Sequence, residues 1–271
     1  MVDRTQVVDG WSGYWRIAGM WIRASMTYRV SFWLLTASAF VIGALDFIGI
    51  WILFHTIDSM GGFTLREVGF LYGATGLGLA FADMFVGRIE RLGQMIRMGD
   101  LDTMMVRPVP LLAQVCSNEF ALRRLSRILL CVLVLAWASA YVEWSPLRVL
   151  VAVGMVVGGA AIYCSIFIVL ACIQFWTADG VEFANAFTYG GNTITQYPLA
   201  IFPGEVLKAL TFVVPLAFVN WYPALFILGR DDPFSMPEWF SFLTLLIGAL
   251  MLWITTLVWR FGVRHYRSTG S

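Results

Sequence analysis

Apolar runs about 20 residues long recur through the sequence, and they restrict the fold more than any other feature. At 1.5 Å rise per residue, each run matches the roughly 30 Å hydrocarbon core of a bilayer. Backbone amides and carbonyls find no water in lipid, so each run must pair its own as a helix. Charged residues make up 13% of the 271-residue chain and hydrophobic ones 59%, whereas a soluble domain carries about a quarter charged. Phe, Trp and Leu surround most of these helices completely, which argues against a soluble helical core. The expected fold class is all-α membrane.

Six spans are expected: residues 30–54, 68–87, 127–142, 147–176, 181–200 and 239–261. Between the last two lies an apolar stretch, 202–228, broken by Pro203, Pro215 and Pro223. It reads either as the true fifth span or as two short helices that dip in and return, and both choices leave six crossings. With both termini inside, the cytoplasmic side holds fourteen Lys and Arg residues against four outside. That asymmetry places both ends in the cytoplasm. Residues 1–29 are polar, aromatic and basic, which does not resemble a signal peptide. No repeat or low-complexity linker divides the chain, so residues 30–271 are expected to form one membrane domain behind a 1–29 cytoplasmic segment.

That first segment is amphipathic when wound as a helix. Trp11, Tyr14, Trp15, Ala18, Trp21, Ile22 and Met26 fall on one arc, and Ser12, Arg16, Arg23 and Thr27 on the other. This describes an interface helix with its aromatics in lipid and its arginines near anionic phosphates, or a plain topology anchor. The cytoplasmic loop 88–127 repeats Ile89, Leu92, Met95 and Ile96 at helical spacing. Gly99 fits a C-terminal stop, and Asp100 is expected to cap a new helix through the amide of Asp102 or Thr103. Arg107, Pro108 and Pro110 end that turn. Such an element suits docking into a partner's groove, or reads as a loop packed on its own bundle.

The fifth span carries Asn185, Thr188, Tyr189, Asn192, Thr195 and Gln196 within an arc of about 120°, with Phe183, Ala186, Phe187, Ile194 and Tyr197 opposite. Polar side chains at membrane depth face a wet cavity or a neighbouring helix, so the stripe reads as a substrate path or as interhelical bonding. Two acids sit inside spans. Asp83 is expected to pair with arginine, Arg88 being near, and Asp46 is the better candidate for a functional role. Gly69, Gly73 and Gly76, and Gly154 with Gly158, stand at close-packing spacing. They serve packing within the chain or a dimer seam.

What is missing bounds the chemistry. Lys208 is the one lysine, without a Gly-rich phosphate loop around it. His55 and His265 are isolated, and Cys116, Cys131, Cys164 and Cys172 read as small packed hydrophobes. No cofactor or metal is expected on this chain, and a net charge of +1 gives no sign of a nucleic-acid partner. If cargo moves uphill by ATP hydrolysis, another chain must bind the ATP.

The string Ile96-Arg97-Met98-Gly99-Asp100-Leu101-Asp102, continuing to Met105-Val106-Arg107-Pro108, resembles the cytoplasmic loop of type-2 ABC exporter permeases. It is most similar to a branch of bacterial six-span permeases that pair with a second permease. Tyr197-Pro198, Phe202-Pro203, Val214–Val219 and Tyr222-Pro223-Ala224 resemble the same branch. Met105 departs from it, standing where a leucine is more usual, at conserved volume.

The resemblance implies an N-terminal interface helix, six spans in the bacterial plasma membrane, a coupling helix after span two, and re-entrant outer helices after span five. It implies a separate ATPase dimer, holding ATP and Mg, docked on Arg91, Arg97, Gly99, Asp100, Asp102, Arg107 and Pro108. It also implies a second permease, or a second copy of this chain, meeting it along spans two and five. The span-five stripe and Asp46 then line the shared pathway. The competing function is an ion- or proton-coupled carrier using Asp46 and the same stripe. The absence of an inverted repeat counts against that reading. A membrane enzyme would need convergent acid, base or nucleophile groups, and none is legible. Wall polarity with two acids favours an amphipathic or cationic cargo, such as a drug or antibiotic.

Overall fold

The computed structural model describes residues 9–118, 120, 122–177 and 181–266. Arg4 and Arg267, counted above toward orientation, lie outside them, as does the side chain of Phe183. Among the described residues the chain is α-helical: α1 Gly10–Ser25, α2 Arg29–Leu53, α3 Leu65–Val86, α4 Leu92–Arg97, α5 Asp100–Met105 and α6 Leu111–Ser117. Then come α7 Leu125–Ser139, α8 Pro146–Cys172, α9 Val181–Thr195, α10 Gly204–Phe212, α11 Trp221–Leu228 and α12 Thr244–His265.

The helix starts are legible in their caps. Pro146 opens α8, where its missing N–H costs nothing, and Ser145 Oγ accepts the Arg148 amide at 3.3 Å. At the head of α3, Glu67 Oε2 accepts the Thr64 amide at 2.8 Å. Arg230 then grips the same carboxylate with Nε and Nη2 at 2.6 and 2.8 Å, tying the loop after α11 to this helix start.

Four helical stretches are long and apolar enough to cross a membrane: Arg29–Leu53, Leu65–Arg97, Pro146–Phe175 and Thr244–His265. The pair Gly204–Phe212 and Leu216–Leu228 bends by 86° and makes a fifth if it is one broken span. The spans expected at 127–142 and 181–200 are α7 and α9, each 15 residues long. Fifteen residues rise only about 22 Å. The α9 helix stops at Thr195 because Pro198 follows, where a helix interior has no place for it. The sharp bend at Val213–Pro215 agrees with the dip-and-return reading of 202–228 more than with a straight crossing.

Burial separates the helices sharply. The most apolar part of α3 is 83% enclosed by the rest of the chain, whereas that of α2 is 6% enclosed. The outward face of α2 is Trp33, Leu34, Ile42, Leu45 and Ile52. Water could not solvate that face, and lipid does. Because α3 is the central helix, it has little free surface for a second permease, contrary to the expected meeting along span two.

The small residues do pack within the chain. A methyl group on Gly73 would meet the Leu135 amide nitrogen of α7 at 2.9 Å. One on Gly158 would meet the Thr244 carbonyl oxygen and carbon of α12 at 2.8 Å. Since the obstacle at Gly158 is backbone, no rotamer change relieves it. Gly158→Ala is expected to lose about 1–3 kcal/mol through separation of α8 and α12. A lowered thermal midpoint of the detergent-solubilised chain checks this; an unchanged midpoint would refute the close contact.

The apolar arc of α1 is used differently from the expectation. Tyr14 and Ala18 are buried against the chain, and Tyr14 Oη donates to the Phe85 carbonyl at 2.8 Å. Trp15 packs edge-on to Phe85, while Trp11 stays exposed. The helix is thus docked on the end of α3 with only part of its aromatic face left for lipid.

Candidate functional site

Two features gather the polar chemistry of the chain. The first is a cavity of about 580 Å³ bounded by α2, α3, the 3₁₀ turn Gly87–Arg91 and the start of α7. Asp46 reaches it from α2, Tyr72 and Asp83 from α3, and Glu90 from the turn. Arg88, Arg91, Arg123, Arg124 and Arg127 close its arginine-rich end, and Gln196 enters from beyond α9. The two acids singled out by sequence therefore share one cavity.

Asp83 is 3% exposed, and its partner is Arg124, whose Nε lies 2.8 Å from Oδ2. Arg127 and Arg88 add to the positive field at that carboxylate. The expected partner Arg88 is thus an auxiliary, because the polypeptide leading into α7 brings Arg124 closer.

The span-five stripe divides. Thr188, Asn192 and Thr195 are buried within the bundle, and Asn185 is half-buried. Tyr189 donates its hydroxyl to Glu90, and so reaches the cavity through that residue. Gln196 lines the cavity directly. Thr195 acts as a pin. Its hydroxyl bonds the Tyr163 phenol of α8 at 3.2 Å. Its carbonyl, left over at the end of α9, accepts from Thr75 Oγ1 of α3 at 3.3 Å and from Asn220 Nδ2. One residue thereby joins α3, α8, α9 and the turn before α11.

The second feature is the loop running from α3 to α7. Gly99 sits at φ +74°, a left-handed conformation that glycine adopts freely, and it ends α4 as expected. It also takes the N-cap position of α5, so Asp100 is the first residue inside that helix and not its cap. The Asp100 carbonyl accepts from Thr103 Oγ1 at 2.8 Å. Arg91, Arg97, Asp100, Arg107 and Pro108 are exposed, and Gly99 and Asp102 are half-buried.

Three apolar members of this surface are not among the expected docking residues: Met98 is 62% exposed, Met105 40% and Val106 85%. Their signal was phase. Leu92, Met95 and Ile96 are on the buried side of α4, and Met98 falls off it. These apolar side chains stand exposed among the charged residues of the loop.

The loop is bolted to the bundle by residues also missed. Gln174, 2% exposed at the end of α8, accepts the Gly93 amide at 2.6 Å and donates to the Glu90 carbonyl at 3.0 Å. Tyr266, just past α12, donates to Asp102 Oδ1 at 2.9 Å. Burial, with the bond to Asp102, pushes the Tyr266 phenol up to about 12, so it stays a donor at neutral pH. Any tilt of α4 and α5 therefore pulls on the ends of α8 and α12. Gln174→Leu would strand two buried backbone groups, at about 1–3 kcal/mol each. The expected result is faster proteolytic cleavage between residues 87 and 110 than in the unaltered chain; equal cleavage rates would show that the bridge does not hold the loop.

No curated protein and no solved structure gave a match to this chain. A family model described as ABC-2 family transporter protein matches residues 40–270, which takes in most of the cavity lining, the loop and α12. The chain therefore belongs to the ABC-2 family of membrane transporters, as a non-catalytic, multi-pass permease.

Proposed function

We propose that this chain is the permease subunit of an ATP-driven exporter, moved by a separate ATPase dimer that docks on the surface of Met98, Met105 and Val106. The observation that carries the reading is that apolar surface, framed by Arg97, Arg107 and Pro108 at the arginine-rich end of the bundle. In this reading α7 and α9 complete six crossings, both chain ends face the cytoplasm of a bacterial plasma membrane, and ATP and Mg reside on the partner. ATP-driven closure of the ATPase tilts α4 and α5. Gln174 and Tyr266 pass that tilt to α8 and α12, changing access to the cavity holding Asp46 and Gln196. A second permease, or a second copy, supplies the remaining wall.

The cargo is an amphipathic molecule, such as a drug or antibiotic. Among the described residues five arginines in the cavity lining outnumber three carboxylates, so the charge argument for a cation holds only near Asp46. Purifying the tagged chain from its native membrane tests the proposal. An ATP-hydrolysing subunit is expected to co-elute in fixed ratio, and a chain that elutes with no such subunit would overturn it.

The convergence of Asp46, Asp83 and Glu90 on one cavity favours a second reading, a proton- or ion-coupled carrier. It requires the isolated chain in liposomes to transport along a pH gradient with no ATPase present.

A further inference from the structure

The end of the cavity that holds Asp46 and Tyr72 is built by α2, α3 and α7. Gly43 of α2 is level with Leu130 of α7, since a methyl group on the glycine would meet Leu130 Cδ2 at 2.9 Å. Further along both helices, the rings of Phe47 and Trp137 lie 6.0 Å apart, so α2 and α7 run parallel. Tyr72 of α3 donates its hydroxyl to the Gly43 carbonyl at 3.3 Å and packs its ring 5.3 Å from that of Phe47. Leading up to Asp46, Leu35, Ala39 and Ile42 line the cavity from one face of α2. From Leu35 to Asp46 this strip is about 16 Å long.

Among the described residues the Asp46 carboxylate has no ion pair and no hydrogen bond. A carboxylate left so inside a span is costly and marks a functional position. Arg127 does not reach it. From the level of Gly43 and Leu130, Asp46 lies three residues one way and Arg127 three the other, about 9 Å apart along the parallel axes. Arg124 is held at Asp83, eleven residues along α3 from Tyr72, or about 16 Å. Charge therefore calls for a cation at Asp46. A metal ion needs several oxygen ligands, and no group of three acids, cysteines or histidines stands together among the described residues. A proton alone would leave the apolar strip unused. An organic ammonium uses both, and its charge is also favoured beside aromatic rings.

We propose that Asp46 is the subsite for the charged head of a lipophilic organic ammonium, whose apolar body lies along Ile42, Ala39 and Leu35. Tyr72, held by Gly43 and Phe47, closes the site around the head. The inference rests on the reading above that this cavity holds cargo, and it narrows that cargo to an elongated molecule with one positive charge.

The test is binding of radiolabelled decyltrimethylammonium to the full chain in phosphatidylcholine nanodiscs, with empty nanodiscs as the blank. Saturable binding is expected, undisturbed by an equal concentration of neutral 1-decanol. Asp46→Asn should weaken it about ten-fold, the loss of one close charge partner. The thermal midpoint of that variant should not fall, because no protein group depends on the carboxylate. Ala39→Phe, at an exposed position on the strip, should weaken binding with the charge intact. Full binding by Asp46→Asn, equal displacement by 1-decanol, or a lowered midpoint in Asp46→Asn would overturn the proposal. Neither ATP nor an ATPase takes part in this measurement. A chain that binds the cation but elutes without an ATPase therefore refutes the exporter reading alone, and one that elutes with it but binds no cation refutes this inference alone.

Discussion

Arg124→Met is expected to destabilise the chain by roughly 3 kcal/mol, because it strands the Asp83 carboxylate within the bundle. The Asp83 side chain is 2% exposed and that of Arg124 40%. The exposed arginine lowers the expected figure toward the bottom of the range for breaking buried pairs. Arg127 and Arg88 reduce it further by staying near the carboxylate. Asp83→Asn together with Arg124→Met removes the charge along with its partner, so the double variant should recover most of the lost thermal midpoint. If the double variant is as unstable as the single one, the penalty arises from lost packing and not from a stranded charge. The reciprocal single change, Asp83→Asn, should cost less than Arg124→Met, because Arg124 can still reach water.

The second large effect concerns the ATPase. Met98→Asp and Val106→Asp are each expected to weaken its binding by about 2 kcal/mol, or roughly 30-fold, the size of an interface hot spot. Neither should alter the thermal midpoint of the isolated chain, since Met98 is 62% and Val106 85% exposed. A normal midpoint with lost binding separates a docking surface from a folding defect. A normal midpoint with unchanged ATPase binding would remove Met98 and Val106 from the interface.

Much of this architecture was legible in the sequence because lipid imposes few solutions. Apolar runs of sufficient length can only be helices, so α2, α8 and α12 fall within a few residues of the expected spans. Gly99 was legible for a local reason, since a left-handed residue between two short helices calls for glycine. The length of α9 was less so. Its span was expected to run to Ala200, while the helix stops where Pro198 and the Thr195 carbonyl network dictate.

The site was only partly readable, for the same physical reason. Asp46 and Asp83 were visible as acids in apolar runs, but their shared cavity depends on how α2 and α3 pack. The partner of Asp83 was assigned by nearness in sequence, whereas Arg124 is supplied by a different element. Gln174 and Tyr266 gave no signal, because their bonds to the loop link segments far apart in the chain. The polar stripe of α9 was found as a pattern, yet three of its members, Thr188, Asn192 and Thr195, are buried. Helical periodicity tells which residues share a face, and tertiary packing decides what that face meets.

The central claim is that force from a separate ATPase enters through the loop between α3 and α7. A photo-crosslinking residue at Val106, in the complex purified from native membranes, tests it most directly. The account predicts a crosslink from Val106 to an ATP-binding subunit, and none from the same probe at Trp33 on the lipid-facing side of α2. A Val106 probe that captures only lipid or another copy of this chain would contradict it.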